Sequence, residues 1–289
     1  AEVAGLGDEL KAGEAALAEL MPRFDAFLAV IPNLPHESVP VGKDATGNVE
    51  VLRWGTPRPI AAPRDHVDLG TALGGLDFEA GVKLSGSRFF VLKGLGSRLQ
   101  RALITWMLDV HIREHGYTEI TPPYVVKEEI LVGTANLPKF GDNLFRVANA
   151  DLTLIPTAEV PVTNLYREEI LTAESLPIYH VAHTPCWRNE QMSAGRDVRG
   201  IKRVYQFDKV EMVKFCTPES SQDELLSLIS NAEDICKGLK IPYRLLQLCS
   251  ADLGTAVMKY DLEMWAPGVQ EWLEAVSYTH LTLPTNREV

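Results

Sequence analysis

Apolar residues recur along this chain with two different periods, and each period predicts a different element. Over residues 1 to about 30, Leu6, Leu10, Leu17, Met21, Phe24 and Leu28 fall at steps of three, four or seven. That spacing predicts a helix whose apolar seam lies against a partner helix, half of a helical hairpin. Gly13 occupies an empty seam position, and Pro22 predicts a kink or break. The stretch IPNLPHESVPVGKDATGN then loses all periodicity and is rich in turn formers. It reads as a linker, with the main domain beginning near residue 45.

A second helix is predicted over 97–115. Ser97 would cap it, Leu99, Ala102, Leu103, Trp106, Met107 and Val110 form one apolar face, and Gly116 sits at a stop position. YTEITPPYVV alternates like a strand, and its paired prolines suit an edge. Further short strands are predicted in LFRV, LTLIPTAEV, YHVAHTPCWRNE, RVYQFDKVEMVKF, YRLLQLC and YDLEMWA. One more helix opens at Thr217-Pro218-Glu219, buries Leu225, Leu228, Ile229, Ala232 and Ile235, and ends at Gly238. Strands that follow one another without intervening helices predict a mostly antiparallel sheet with helices on it, an α+β domain.

Composition narrows the function. No apolar run approaches the roughly 20 residues of a membrane helix, and the N-terminus lacks a secretory signal. A cytoplasmic location is expected. Cys186, Cys216, Cys236 and Cys249 form no CxxC pair, so free thiols are expected and neither a disulfide framework nor structural zinc. A net charge of −11 argues against a general nucleic-acid coat. Residues 188–203 run against that sign, with Arg188, Arg196, Arg199, Lys202 and Arg203 opposed only by Glu190 and Asp197, a local +3. Such a loop suits a phosphate backbone or a triphosphate, although solvated charge clusters are common on any surface.

No phosphate-cradling GxxxxGK[ST], dinucleotide GxGxxG or GxSxG elbow is present. The candidate chemistry lies instead at even steps along predicted strands: Thr157 with Glu159, Arg188 with Glu190, and Phe207 with Glu211. Even spacing puts each pair on one sheet face. Together they offer an arginine for phosphate or carboxylate, carboxylates for an ammonium, and an aromatic plane for a base. Any one pair alone reads as a solvated strand face.

PNLPHESVPVG, KLSGSRFFVLKG, GTANLPKFGDNLF, PTAEVPV, RNEQMSAGRDVRGIKRVYQFDKVEM and NAEDICKGLKIPYRLL resemble successive blocks of the seryl-tRNA synthetases, a class II aminoacyl-tRNA ligase family. They keep the family's order over roughly residues 30–277. The resemblance implies an antiparallel class II catalytic sheet that joins L-serine to AMP using ATP and Mg2+, then charges tRNA(Ser), as a homodimer. It implies that Thr157, Ala158 and Glu159 hold serine, and that Arg188 bridges the serine carboxylate and the ATP α-phosphate. It further implies ATP contacts from Asn189, Glu190, Val204 and Phe207, a serine-hydroxyl contact from Glu211, and a tRNA-end loop over 193–203. Glu274, Ala275, Val276 and Ser277 match the family's Glu-x-x-Ser, with Glu274 and Ser277 as magnesium ligands.

The implied organisation is a remnant of the helical tRNA-binding arm over 1–32, a linker over 33–45, and an incomplete catalytic domain over 46–277. After Ser277 the family continues with a Cys-Ser-Asn stretch and a motif 3 arginine. This chain reads YTHLTLPTNREV instead, taken as an unrelated tail over 278–289, and Arg287 is not given the arginine's role. Gln191 and Met192 replace small residues usual in the loop. A catalytically silent paralogue that binds serine, nucleotide or RNA is the alternative reading, and a relative that loads a carrier protein is a third.

Overall fold

A computed structural model describes residues 2–190 and 200–280 of the chain. Gln191, Met192, Arg196, Asp197 and Arg199 of the basic loop, and Arg287 of the tail, lie outside the described residues.

Helix α1 runs unbroken from Glu2 to Leu28 with Pro22 inside it, so the predicted break does not occur. The seam is there but faces outward. Leu6, Leu10, Leu17, Met21 and Phe24 are all exposed, and no described helix lies on them. The stretch that follows is anchored rather than loose. His36 N donates to Val257 O, Ser250 N donates to Pro40 O, and Val39 is buried in the main core.

The first sheet takes the order β1 (Val49–Trp54), β9 (Tyr243–Gln247), β10 (Met258–Ala266), β11 (Glu271–His280), antiparallel throughout. Alternation gives it one apolar and one polar face. Tyr243, Leu245, Met258, Leu262 and Tyr278 point inward onto Leu225, Ile229, Ala232 and Cys236 of α7 (Ser221–Leu239). That inner layer is the main core. Lys259, Asp261, Glu263 and Trp265 belong to the other face. β11 carries on past Ser277 through Tyr278, which is 2% exposed, into the first residues read from sequence as tail.

The second sheet is β4 (Thr118–Glu119), β7 (Ile178–Trp187), β8 (Gln206–Phe215). β7 and β8 pair antiparallel over their full lengths, and β4 joins β7 in parallel. The strand expected across YTEITPPYVV is cut by its prolines into β4 and β5 (Val125–Val126). Two small ribbons complete the strands, β2 (Leu76–Asp77) with β3 (Val91–Leu92), and β5 with β6 (Thr153–Leu154). LFRV contributes one isolated bridge, Arg146 to Thr153.

Helix α4 spans Gly94–Arg113, three residues ahead of the predicted Ser97 cap. Its start is set by backbone contact, not by a hydroxyl. Lys93 N donates to Gly75 O, and any Cβ on Gly96 would come within 2.4 Å of that same oxygen. At its other end His111 is buried and His115 Nε2 meets Asp234 Oδ2 of α7 at 3.2 Å. The two imidazoles approach Nδ1 to Nδ1 at 3.0 Å. Thr217 begins the turn leading into α7, as expected. The helix ends at left-handed Lys240, φ 56°, rather than at Gly238. Gly238 serves packing instead: a Cβ there would lie 2.7 Å from the Trp106 ring of α4.

Candidate active site

The site forms where the segment before α6 (Glu159–Thr163) crosses the middle of β8. PTAEV is not a strand, as the alternation predicted; the chain turns into α6 at Glu159. Pro161 is the local signal, since proline fits a first helical turn, where N–H groups have no intrahelical partner. Thr157 Oγ1 accepts the Glu159 N–H at 3.2 Å and so starts the turn. Thr157 and Glu159 therefore share the site through a helix start and not through strand parity.

Arg188 and Glu190 lie just past the end of β7. Arg188 N donates to Tyr205 O at 3.0 Å, and Glu190 N turns back to Arg188 O at 3.1 Å. The strand alternation assumed for this pair thus stops one residue too early. Asn189 ties the turn to the short helical turn Gly141–Asn143, its N–H donating to Asn143 O at 2.8 Å. Arg188 Nε donates to Pro156 O at 3.1 Å, and its guanidinium lies over the Phe207 ring, 5.1 Å from the centroid. This holds the planar fork beside Thr157. Glu190 pairs with Arg203 at 3.5 Å, and Val204 is buried at 6% exposure.

On β8 the parity argument holds. Phe207, Lys209 and Glu211 share one face, opposite Cys186, Thr184 and Ala182 of β7. Ala158 and Val162 of the crossing segment pack against Ala182 on this face, all three nearly inaccessible, so the floor is closed. Thr157 Oγ1 donates to Glu211 Oε2 at 2.7 Å, joining residues 54 apart in sequence. Lys209, which the sequence reading passed over, pairs with that same Oε2 and donates to Thr157 Oγ1 at 3.0 Å. Its position midway between Phe207 and Glu211 was the available signal.

Charge is concentrated here. Burial first, then the Glu211 carboxylate, push the Glu159 carboxyl above the usual range, while Lys209, Arg188 and Lys259 pull it back. Lys259 stands on β10, so the polar faces of both sheets act on one space. On that second face, Glu274 and Ser277 are three residues apart, which ordinarily means opposite sides of a strand. The β10–β11 register shifts between Leu262 and Glu263, leaving Ala275 as the extra residue of a bulge. Ser277 pairs with Asp261 and Glu274 with Glu263, so both residues end on the polar face.

Ser277 Oγ and Asp261 Oδ1 are buried there on paired positions, and Lys259 Nζ lies 3.9 Å from Asp261 Oδ1. Burial, with Glu274 adding to it, raises the Asp261 carboxyl, and Lys259 opposes the rise. Carboxylate and hydroxyl oxygens suit a hard cation. Among the described residues no three His, Cys, Asp or Glu side chains form a complete metal cage. The oxygens this face offers are those of Glu274, Ser277 and Asp261. All four cysteines are free.

Comparison with known proteins agrees with this architecture. Residues 144–285 match the family described as tRNA synthetase class II core domain (G, H, P, S and T). A serine–tRNA ligase of Herpetosiphon aurantiacus is 63% identical over 273 residues, covering 94% of this chain and 65% of that protein. One from Thermomicrobium roseum is 57% identical, covering 96% of this chain and 63% of its own length. The chain thus spans a little under two thirds of these relatives. The crystal structure of seryl-tRNA synthetase from Pyrococcus horikoshii complexed with ATP superposes with a TM-score of 0.87 at 40% identity, over 91% of this chain and 64% of that one.

Proposed function

This chain belongs to the serine–tRNA ligase family of class II synthetases, and we propose on that premise that its site activates L-serine with ATP for transfer to tRNA(Ser). The carrying observation is the 2.7 Å contact of Thr157 with Glu211 beside the Arg188 fork and the half-buried Glu159. Each part answers one feature of the substrates.

Glu159 receives the serine ammonium. Burial and Glu211 raise this carboxyl, and an arriving ammonium favours its ionised form, which suits it to a charged amine. Thr157 and Ala158 line the same subsite. Glu211 accepts the serine hydroxyl. Arg188 takes one oxygen of the serine carboxylate and one of the α-phosphate, which brings nucleophile and phosphorus together. The carboxylate oxygen forms a bond to the α-phosphorus as the bond to the bridging oxygen breaks and pyrophosphate leaves. Charge growing on the phosphorane oxygens is met by a guanidinium already in place.

Adenine lies on Phe207 and is read by Glu190, with backbone contacts from Asn189 and Val204. Magnesium held at Glu274 and Ser277, next to Ala275 and Val276, would neutralise the phosphates. In the second step a ribose hydroxyl of the tRNA attacks the seryl carbonyl and AMP departs. The loop over 193–203 is the proposed contact for the tRNA end; of its described part, Lys202 is 3.7 Å from Glu271, and Arg203 pairs with Glu190. The exposed stripe of Leu95 and Leu99 on α4, 69% and 61% exposed, supports a homodimer through that helix. No described helix is long and apolar enough to cross a membrane, and the cytoplasm is the proposed place of action.

Serine-dependent exchange of pyrophosphate into ATP tests the reading directly. The expected result is exchange with L-serine but not L-alanine, reduced by about a hundredfold or more in Arg188→Ala. Exchange that survives the substitution would refute the role given to Arg188.

A further inference from the structure

We propose that Lys209 is the positioning residue for hydroxyl selection. With Thr157 it pins one oxygen of Glu211, so that the other oxygen is the acceptor offered to the amino acid's side chain. The proposal deepens the function given above and rests on it.

The geometry is a closed triangle. Lys209 Nζ pairs with Glu211 Oε2, Lys209 Nζ donates to Thr157 Oγ1 at 3.0 Å, and Thr157 Oγ1 donates to Glu211 Oε2 at 2.7 Å. Both donors use Oε2. Among the described residues none donates to Oε1. The lysine side chain is 34% exposed and the glutamate 15%, so the pair sits at the site's wall and not out in solvent.

A glutamate carboxylate alone turns broadly about its last bond. Two donors on one oxygen stop that rotation and fix where Oε1 points. An ionised oxygen in that position only accepts, so it requires a donor from the ligand. A hydroxymethyl side chain supplies one and a methyl does not. A site built to bond a hydroxyl then rejects the analogue by leaving its own buried polar atom unpaired.

Without the ammonium, Glu211 loses an anchor and Glu159 loses one of the cations that offset its neighbouring charge. The Glu159 carboxyl then takes up a proton more readily. A Glu211 carboxylate freed to turn offers its oxygens in no fixed direction, and preference for a hydroxyl weakens. A merely structural ion pair would show none of this: its loss would lower stability and affect all ligands alike.

The test compares affinities for two stable adenylate mimics, adenosine joined through a sulfamate to L-serine or to L-alanine, by calorimetric titration at several pH values. AMP serves as the common reference. The parent chain is expected to favour the seryl compound. Lys209→Met should reduce that preference at least tenfold, mainly through weaker seryl binding, with AMP affinity unchanged. Lys209→Arg should restore part of the preference, and serine affinity in Lys209→Met should become newly dependent on pH. Should Lys209→Met not fold, Lys209→Gln is measured in the same way. An unchanged seryl-to-alanyl ratio, or equal losses for both compounds, overturns the inference while leaving the site reading intact. A parent chain with no seryl preference overturns the site reading itself, and the inference falls with it.

Discussion

Replacing Gly238 by Ala tests how α7 is seated on α4. The added methyl would stand 2.7 Å from Trp106 Cζ2 and 2.8 Å from Cη2, where carbon atoms ordinarily rest roughly 3.5–4.0 Å apart. Two effects compete. Alanine in place of glycine gains up to about 1 kcal/mol of helix propensity, and less at the penultimate helical residue. Overpacking costs about 1–3 kcal/mol. A Cβ cannot move without shifting the helix, so the indole must give way. Trp106 is half-buried beside a groove lined by Leu99, Ala102 and Thr105, which leaves the ring some room. That room places the cost at the low end, about 1 kcal/mol, and after the propensity gain the expected net change is a destabilisation of about 0.5 kcal/mol.

Urea denaturation followed by circular dichroism measures it as a shift in midpoint at constant slope. In a Trp106→Ala background the obstruction is gone, and the same Gly238→Ala change should become neutral or stabilising. The cycle should therefore return a coupling of about 1 kcal/mol. A stabilising Gly238→Ala in the parent, or the same effect in both backgrounds, would refute the claim that the indole dictates glycine here.

Other expectations follow from the same structure. Leu262→Ala, in the centre of the main core at 0% exposure, should cost about 2–5 kcal/mol and lower the thermal midpoint; a loss under 1 kcal/mol would mean the core collapses to fill the space. His111 has its folded pKa lowered to about 4, by burial first and then by the charge of His115, while the unfolded ring titrates near 6.5. The unfolded chain therefore holds more protons between those values, and stability falls as pH drops through 6.5 toward 4. From pH 7 to pH 5 the loss through this group should be about 2 kcal/mol. His111→Asn should flatten the profile by that amount, and an unaltered slope would dismiss the assignment. Glu274→Gln should raise the magnesium concentration needed for ATP–pyrophosphate exchange by about tenfold or more, and an unmoved requirement would remove Glu274 from the ion's ligands.

Long periodic stretches were readable from sequence alone. The stripe of α7 and the hairpin of β7 and β8 came through because their periods persist over many residues. Phe207 and Glu211 were placed correctly for that reason. The PTAEV segment was misread because its apolar residues fit a strand as well as a short helix, and Pro161 was the deciding clue. Lys209 was missed because a lysine between two sites of interest looks like a solvated charge until Thr157 arrives from a distant segment. The start of α4 lay with Gly75 and Gly96 and not with Ser97, since backbone-to-backbone approach leaves no trace in hydrophobic pattern. The outward seam of α1 shows the reverse case: the pattern was right, and the surface it predicts to be covered is bare among the described residues.

The extra residue in β11 bears on how such chains are aligned. Ala275 stands outside the ladder, so removing it would leave Glu274, Val276 and Ser277 facing the same cross-strand neighbours as before. A single deletion elsewhere in β11 would turn Tyr278 out to water and the Ser277 hydroxyl into the oily layer beneath. Length variation in this strand is therefore harmless at one position and ruinous beside it. An alignment gap misplaced by one residue would exchange a polar-face side chain for a core one without any visible loss of similarity.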